Sequence, residues 1–111
     1  MDNVKNDAYY LNKILTDLCF MIEHTQGKSQ YDIEHDPVLV DSILFRLIQV
    51  AENSDRLSGE FKQSSPALPW KAIKGMRNVI VHDYGIVDLT IVCDTVLNSV
   101  PALYTDLKAV L

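Results

Sequence analysis

The sequence predicts an all-α fold: an antiparallel four-helix up-and-down bundle with a short fifth C-terminal helix. Apolar residues recur at three-and-four spacing through most of the chain, the signature of helices with one buried face. No stretch alternates over a convincing length as a half-buried strand does; Val79-Ile80-Val81 is β-branched but lies inside a helical pattern. The connections are short, which favours antiparallel neighbours. With 111 residues, 48% hydrophobic and 23% charged, the chain reads as one domain spanning 1–111 with one modest core. A domain of this size buries only about two-thirds of its unfolded surface, so association into a homodimer is a natural way to bury more.

Leu11, Ile14, Leu15, Leu18, Cys19 and Ile22 mark the face of a first helix over 4–25, ended by Gly27. The polar stretch from Gln26 to His35 reads as a loop. Asp36-Pro37 opens a second helix, because the Asp side chain can accept from free backbone N–H groups and Pro at the first helical position sacrifices no bond. That helix follows Val40, Ile43, Leu44, Leu47, Ile48 and Ala51, and Leu57 and Phe61 extend its face to about residue 63. Ser64-Ser65-Pro66-Ala67-Leu68-Pro69 is a punctuated linker. A third helix starts near Pro69-Trp70, runs through Ile73, Met76 and Ile80, and stops near Tyr84-Gly85, where Gly suits a left-handed cap. Ile86, Leu89, Cys93, Val96 and Val100 form a fourth stripe, which Pro101 breaks before a last helix with Leu103, Leu107 and Val110.

The net charge of −5 argues against indiscriminate coating of nucleic acid, but the charge is unevenly distributed. Residues 1–41 carry three Lys against eight acids, residues 42–82 six basic residues against three acids, and residues 83–111 one Lys against four acids. No apolar run approaches the roughly 18 to 20 residues of a membrane span, and the N-terminus lacks the features of a secretory signal; the expected location is the cytoplasm. Cys19 and Cys93 sit in apolar helical patterns and read as small buried hydrophobes. No metal-ligand pattern or cofactor motif is visible: His24 and His35 read as surface or capping residues, and no Glu-x-x-His with a facing equivalent supports a metal-binding bundle.

The chemistry concentrates in Arg77-Asn78-Val79-Ile80-Val81-His82-Asp83-Tyr84, preceded by Lys71 and Lys74. A guanidinium can bind two phosphate oxygens and stabilise charge growing on them, and an imidazole can move protons near neutral pH. For RNA, the simplest metal-free reaction is attack of a 2′-hydroxyl on the adjacent phosphorus. It yields a 2′,3′-cyclic phosphate and a 5′-hydroxyl. Five residues of ideal helix, however, set His82 about 140° around the axis from Arg77. Either the last turn loosens before Gly85, or each residue works with its counterpart from a second subunit. Trp70, beside Pro69, reads as a packing anchor rather than a base-stacking platform.

Asp36-Pro37-Val38-Leu39, Arg46 to Glu52, Arg56-Leu57-Ser58 with Glu60-Phe61, Leu68 to Asn78 and His82-Asp83-Tyr84 resemble the HepT-like ribonuclease toxins of the HEPN superfamily. The resemblance continues through Val87-Asp88-Leu89, Ile91-Val92 and Val100-Pro101, and covers the first 35 residues in pattern more than in identity. The superfamily motif is Arg, four to six residues, His; in HepT it is Arg, four residues, His, one residue, Tyr. Arg77, His82 and Tyr84 satisfy it, and Asn78 follows Arg77 as is usual in HEPN proteins.

The resemblance implies a homodimeric helical bundle whose two motifs meet at an interface cleft and act as a metal-independent ribonuclease on tRNA or mRNA. It implies a toxin–antitoxin pair with a small MNT-type nucleotidyltransferase, which transfers AMP from ATP to Tyr84 and silences the toxin. Beside that motif, Lys71 and Lys74 are candidates for tracking RNA phosphates, and Arg46 and Glu52 for lining or bracing the cleft. The alternative is a non-catalytic HEPN dimer that binds the nucleotidyltransferase and serves as its substrate or substrate-presenting subunit.

Overall fold

The computed structural model describes residues 6–111, and every regular element among them is helical. Helix α1 (Asp7–Thr25) begins where the Asn6 side chain accepts from the Tyr9 amide at 3.1 Å. It ends at Gly27, whose φ of +75° is the left-handed conformation that costs glycine little. The first two positions expected in this helix, residues 4 and 5, lie outside the described residues.

Residues 26–35 are not entirely loop, because they contain a one-turn helix, α2 (Gln30–Glu34). Ser29 and Asp32 cap it reciprocally: the Ser29 hydroxyl accepts from the Asp32 amide at 3.1 Å, and the Asp32 carboxylate accepts from the Ser29 amide at 3.0 Å. Ile33, fully buried, ties the turn to its neighbours.

Helix α3 (Pro37–Asp55) starts as expected at Asp36, whose carboxylate accepts from the Leu39 amide at 3.1 Å, but it stops about eight residues short of the expected end near residue 63. The reason lies 51 residues away in sequence. The Ser58 amide and hydroxyl both donate to the Asp7 carboxylate, at 2.8 and 2.7 Å, so that amide is withdrawn from the ladder that would continue α3. The Ser58 hydroxyl also accepts from the Phe61 amide at 3.0 Å and opens a separate helix, α4 (Gly59–Ser64).

Helix α5 (Trp70–His82) ends two residues before Tyr84, and residues Tyr84–Ile86 form a 3₁₀ turn. Gly85 does not take the left-handed cap expected of it; among the described residues Gly27 alone has positive φ. Helix α6 (Leu89–Asp94) follows, capped by the Asp88 carboxylate on the Thr90 amide at 2.9 Å.

Pro101 does not break the chain into two helices. A π turn over Thr95–Ser99 joins α6 to α7 (Val100–Ala109), with the Val100 amide donating to the Thr95 carbonyl five residues back. Proline supplies no amide and its ring would crowd the carbonyl four residues earlier; one extra residue per turn relieves both constraints without leaving the right-handed helical region.

Helix α3 lies between α1 and α5, while α1 also packs against the π turn and α7, and α2 bridges α6 and α3. Ile14, Leu18 and Met21 of α1 meet Ile43, Leu47 and Val50 of α3 in a core shared with Val92, Val96, Leu103 and Leu107. Each large aliphatic chain buried there contributes about 1.5–3 kcal/mol. Helix α5 adds only Ile80 as a fully buried residue, with Ile73 and Met76 partly covered.

The Asp7–Ser58 contact joins the start of α1 to the start of α4. The Ser58 hydroxyl first, and its amide second, hold the Asp7 carboxyl below the usual carboxylate range. A carboxylate with a lowered folded pKa stabilises the fold above its unfolded pKa of about 4, and that contribution is lost as pH falls through the folded value. Ser58→Ala is expected to cost about 1 kcal/mol at pH 7 as a lost cap. Urea unfolding should show the gap between variant and wild type narrowing as pH falls below about 4 and through the folded-state value of Asp7.

Candidate functional site

The polar residues of α5 are arranged by helix geometry alone. At 100° per residue, Arg77, Lys74, Asn78, Lys71 and His82 fall in that order across one arc of about 140°. The core-facing side is opposite, where Ile73, Met76 and Ile80 lie. The last turn does not loosen: the Asp83 amide donates to the Val79 carbonyl at 2.9 Å, so α5 is regular through His82. Arg77 and His82 therefore occupy opposite edges of the arc in one chain, and the sequence alternative of a loosened turn falls away.

Arg77 lies at the edge nearer α3. Its Nη2 is 3.5 Å from the Glu52 carboxylate, its Nη1 donates to the Asn78 side-chain oxygen at 3.1 Å, and its Nε is buried without a hydrogen-bond partner. The side chain keeps a third of its surface exposed. One turn earlier on α5 and one turn later on α3, Lys74 and Asp55 stand 3.9 Å apart at the surface. Glu52 and Asp55 of α3 thus face Lys74 and Arg77 of α5 around a hollow of about 110 Å³, with Asn78 on its wall. Partly exposed pairs of this kind contribute about 0–1 kcal/mol each. Their main effect is to fix where the guanidinium sits.

His82 is exposed, and among the described residues its ring makes no hydrogen bond to another side chain. Tyr84 opens the 3₁₀ turn immediately after α5. Lys71 is exposed on the same arc.

Arg46 is on the other side of α3. Its Nη1 meets the Asp17 carboxylate of α1 at 2.6 Å, and its guanidinium lies 3.9 Å from the Phe20 ring centroid. Arg46 and Glu52 are six residues apart, about 240° around the helix, which is why they cannot brace the same cleft within one chain. The structure brings together Arg77, Asn78, Glu52 and Lys74. It leaves Arg46 outside that group and His82 across the arc. Asp55 joins the group although the sequence reading passed over it; its placement three residues after Glu52 was the available signal.

The remaining polar candidates have local partners. His24 packs on Phe20 at 4.2 Å between ring centroids, and His35 stacks on Tyr31 at 3.9 Å. Trp70 donates its indole N–H to the Ser65 carbonyl at 3.1 Å and meets the Phe61 ring edge-on. Cys93 is buried, and burial first, with the Glu34 charge second, pushes its thiol up; Cys19 is only half-buried. Among the described residues no group of three or more His, Cys, Asp or Glu side chains is placed to hold a metal ion, and no helix is long and apolar enough to cross a membrane.

The two arginine pairs should separate in unfolding measurements. Asp17 is largely buried, so Arg46→Met leaves a carboxylate without its counter-ion and is expected to cost about 2 kcal/mol or more. Glu52→Gln removes a charge from a more exposed pair and should cost less than about 1 kcal/mol in the same urea titration.

Comparison with known proteins supplies the context for this arrangement. The family described as Ribonuclease HepT-like matches residues 14–110. A protein of Caldanaerobacter subterraneus subsp. tengcongensis named "Putative RNase" is 34% identical over 108 residues, covering 97% of this chain and 96% of its own. One of Thermococcus cleftensis named "Probable ribonuclease HepT" is 27% identical over 94 residues, covering 85% and 86% respectively. Another, from Methanocaldococcus jannaschii and named "Gamma-glutamylcyclotransferase and putative RNase", is 27% identical over 107 residues; the match spans 96% of this chain but 48% of that longer protein. No solved structure matches the chain. With the family match covering all of the helical core from Ile14 onward, the chain belongs to the HepT-like ribonuclease family of the HEPN superfamily.

Proposed function

We propose that the protein is the toxin of a HEPN/MNT toxin–antitoxin pair: a metal-independent endoribonuclease that cuts tRNA or mRNA in the cytosol at a cleft between two copies of the chain. The observation that carries this reading is the polar arc of α5. Arg77 is held at one edge by Glu52 and Asn78, and His82 stands free at the other. One chain alone presents the two residues about 140° apart, whereas a second copy related by a two-fold axis can bring its His82 toward the first copy's Arg77. The apolar surface around this helix supports pairing: Val79, Ile86 and Ile91 are 48%, 82% and 54% exposed.

In the cleft, Arg77 grips the scissile phosphate through N–H groups that Glu52 and Asn78 leave free, and stabilises the charge that grows on its oxygens. A base removes the proton of the 2′-hydroxyl, the oxygen attacks phosphorus, and the P–O5′ bond breaks. An acid returns a proton to the leaving 5′-oxygen. The two copies of His82 fill these proton-transfer roles.

A nucleotidyltransferase antitoxin silences the toxin at Tyr84. The phenolic oxygen attacks the α-phosphorus of ATP, pyrophosphate leaves, and the phenolic proton is released. The attached AMP adds bulk and negative charge two residues beyond His82, where an RNA phosphate is no longer welcome.

Incubation of total tRNA in EDTA with unmodified, antitoxin-free protein tests the reading. Wild type should leave cyclic-phosphate ends; Arg77→Ala and His82→Ala should each cut at least about 100-fold more slowly while keeping fold and oligomeric state. The same variants should relieve growth arrest. Absence of cleavage by the wild type would favour a non-catalytic module that serves the nucleotidyltransferase.

A further inference from the structure

The groove between α3 and α5 does not end at Arg77. Toward the start of α5 a second hollow, of about 200 Å³, opens between Ser54 and Asp55 of α3, Lys62 of α4, and Trp70, Lys71 and Lys74 of α5. Asp55 and Lys74 belong to both hollows, so the two adjoin. Along the α5 axis, Lys74 lies about 4.5 Å and Lys71 about 9 Å from Arg77.

Three features give this hollow a chemistry. It gathers three lysines against the single carboxylate of Asp55, in a chain whose net charge is −5. Asp55 sits 3.9 Å from Lys74, which leaves Lys62 and Lys71 as the cations in excess, with the Asp7 carboxylate near enough to Lys62 to feel its charge. Ser54 is 5% exposed, and its buried hydroxyl has no hydrogen-bond partner although the residue lines the hollow. A buried hydroxyl is nearly always satisfied in a finished site, so this one points to a polar ligand atom. Trp70 is pinned by its N–H on the Ser65 carbonyl and by its edge-on contact with Phe61, so its ring has a fixed plane and what it offers the hollow is apolar aromatic surface.

Cations, a hydroxyl and an oriented indole in one small hollow match one nucleotide: a phosphate for the lysines and a base for the ring. We propose that it is a subsite for the nucleotide next to the scissile phosphate. There Lys62 and Lys71 bind the neighbouring phosphate, Ser54 hydrogen-bonds a sugar or phosphate oxygen, and Trp70 stacks the base. This assignment rests on the ribonuclease reading for the identity of the strand, and it reverses the expectation that Trp70 serves packing alone.

Trp70 is the only tryptophan of the chain, so its fluorescence reports this hollow directly. The test titrates the full-length protein with an uncleavable 2′-O-methyl hexanucleotide. Saturable quenching of Trp70 is expected. The double variant Lys62→Ala/Lys71→Ala, with its circular dichroism unchanged, should bind about tenfold more weakly at low salt. It should also reduce the slope of log affinity against log salt by about 0.7, the value for one lost single-strand phosphate contact. Ser54→Ala should weaken binding with no change in that slope. Binding without any change in Trp70 fluorescence, or an unaltered salt slope in the double variant, would overturn the subsite, as would quenching by free AMP at an affinity equal to that of the oligonucleotide. If the wild type quenches as expected but cuts no RNA, the ribonuclease reading fails and the hollow stands as a nucleotide site without a scissile phosphate beside it; cleavage with a silent Trp70 overturns the subsite and leaves the ribonuclease reading.

Discussion

Helix α3 has to satisfy a different neighbour on each side of one backbone cylinder. Its apolar stripe through Ile43, Leu47 and Val50 joins the core, and charged residues mark the two edges of that stripe. At one edge Arg46 reaches the Asp17 carboxylate of α1; at the other, Glu52 and Asp55 meet Arg77 and Lys74 of α5. Apolar packing is forgiving about rotation and sliding, whereas ion pairs at both edges are not. Helix α5 depends most on this constraint, because it contributes only Ile80 as a fully buried anchor. The position of the Arg77 guanidinium follows from how α5 registers on α3 rather than from anything within α5 itself.

The long helices were legible because burial writes itself into periodic apolar residues, and the capping signals at Gly27 and Asp36 were local. The elements that escaped depend on partners distant in sequence or on reciprocal polar caps. Nothing in the neighbourhood of Ser58 announces that Asp7 will take its amide, and α2 rests on the Ser29–Asp32 box and one buried Ile33 rather than on a repeat. Pro101 misled for another reason: a proline breaks an α-helix, but the stripe Val92, Val96, Val100 advances in steps of four. A wider turn accommodates that step as readily as it accommodates the missing amide. At the site, the adjacency of Arg77 and Asn78 was readable from the motif but their side-chain hydrogen bond was not, and the proximity of Glu52 was only suggested. The separation of Arg46 from that group became visible once both were placed on the same helix.

Helix α5 is used on three sides. One side faces the core, and on the proposed function the polar arc from Arg77 to His82 faces ligand while exposed Val79, with Ile86 of the following turn, meets a second copy. A helix this fully committed has little surface free for neutral substitution. The uneven charge of the chain fits that proposal: acidic ends disfavour RNA in general, and the basic residues lie in the middle of the chain.

The groove between α3 and α5 carries its own counter-ions. The Lys74 and Arg77 charges are already matched by Asp55 and Glu52, so on the proposed function an arriving phosphate shares each cation with a tethered carboxylate. Each phosphate bound there adds a negative charge beside that carboxylate, and the repulsion between the two works against a tight grip. On the proposed function, the grip on a spent fragment is therefore contested from within the molecule, which favours its release.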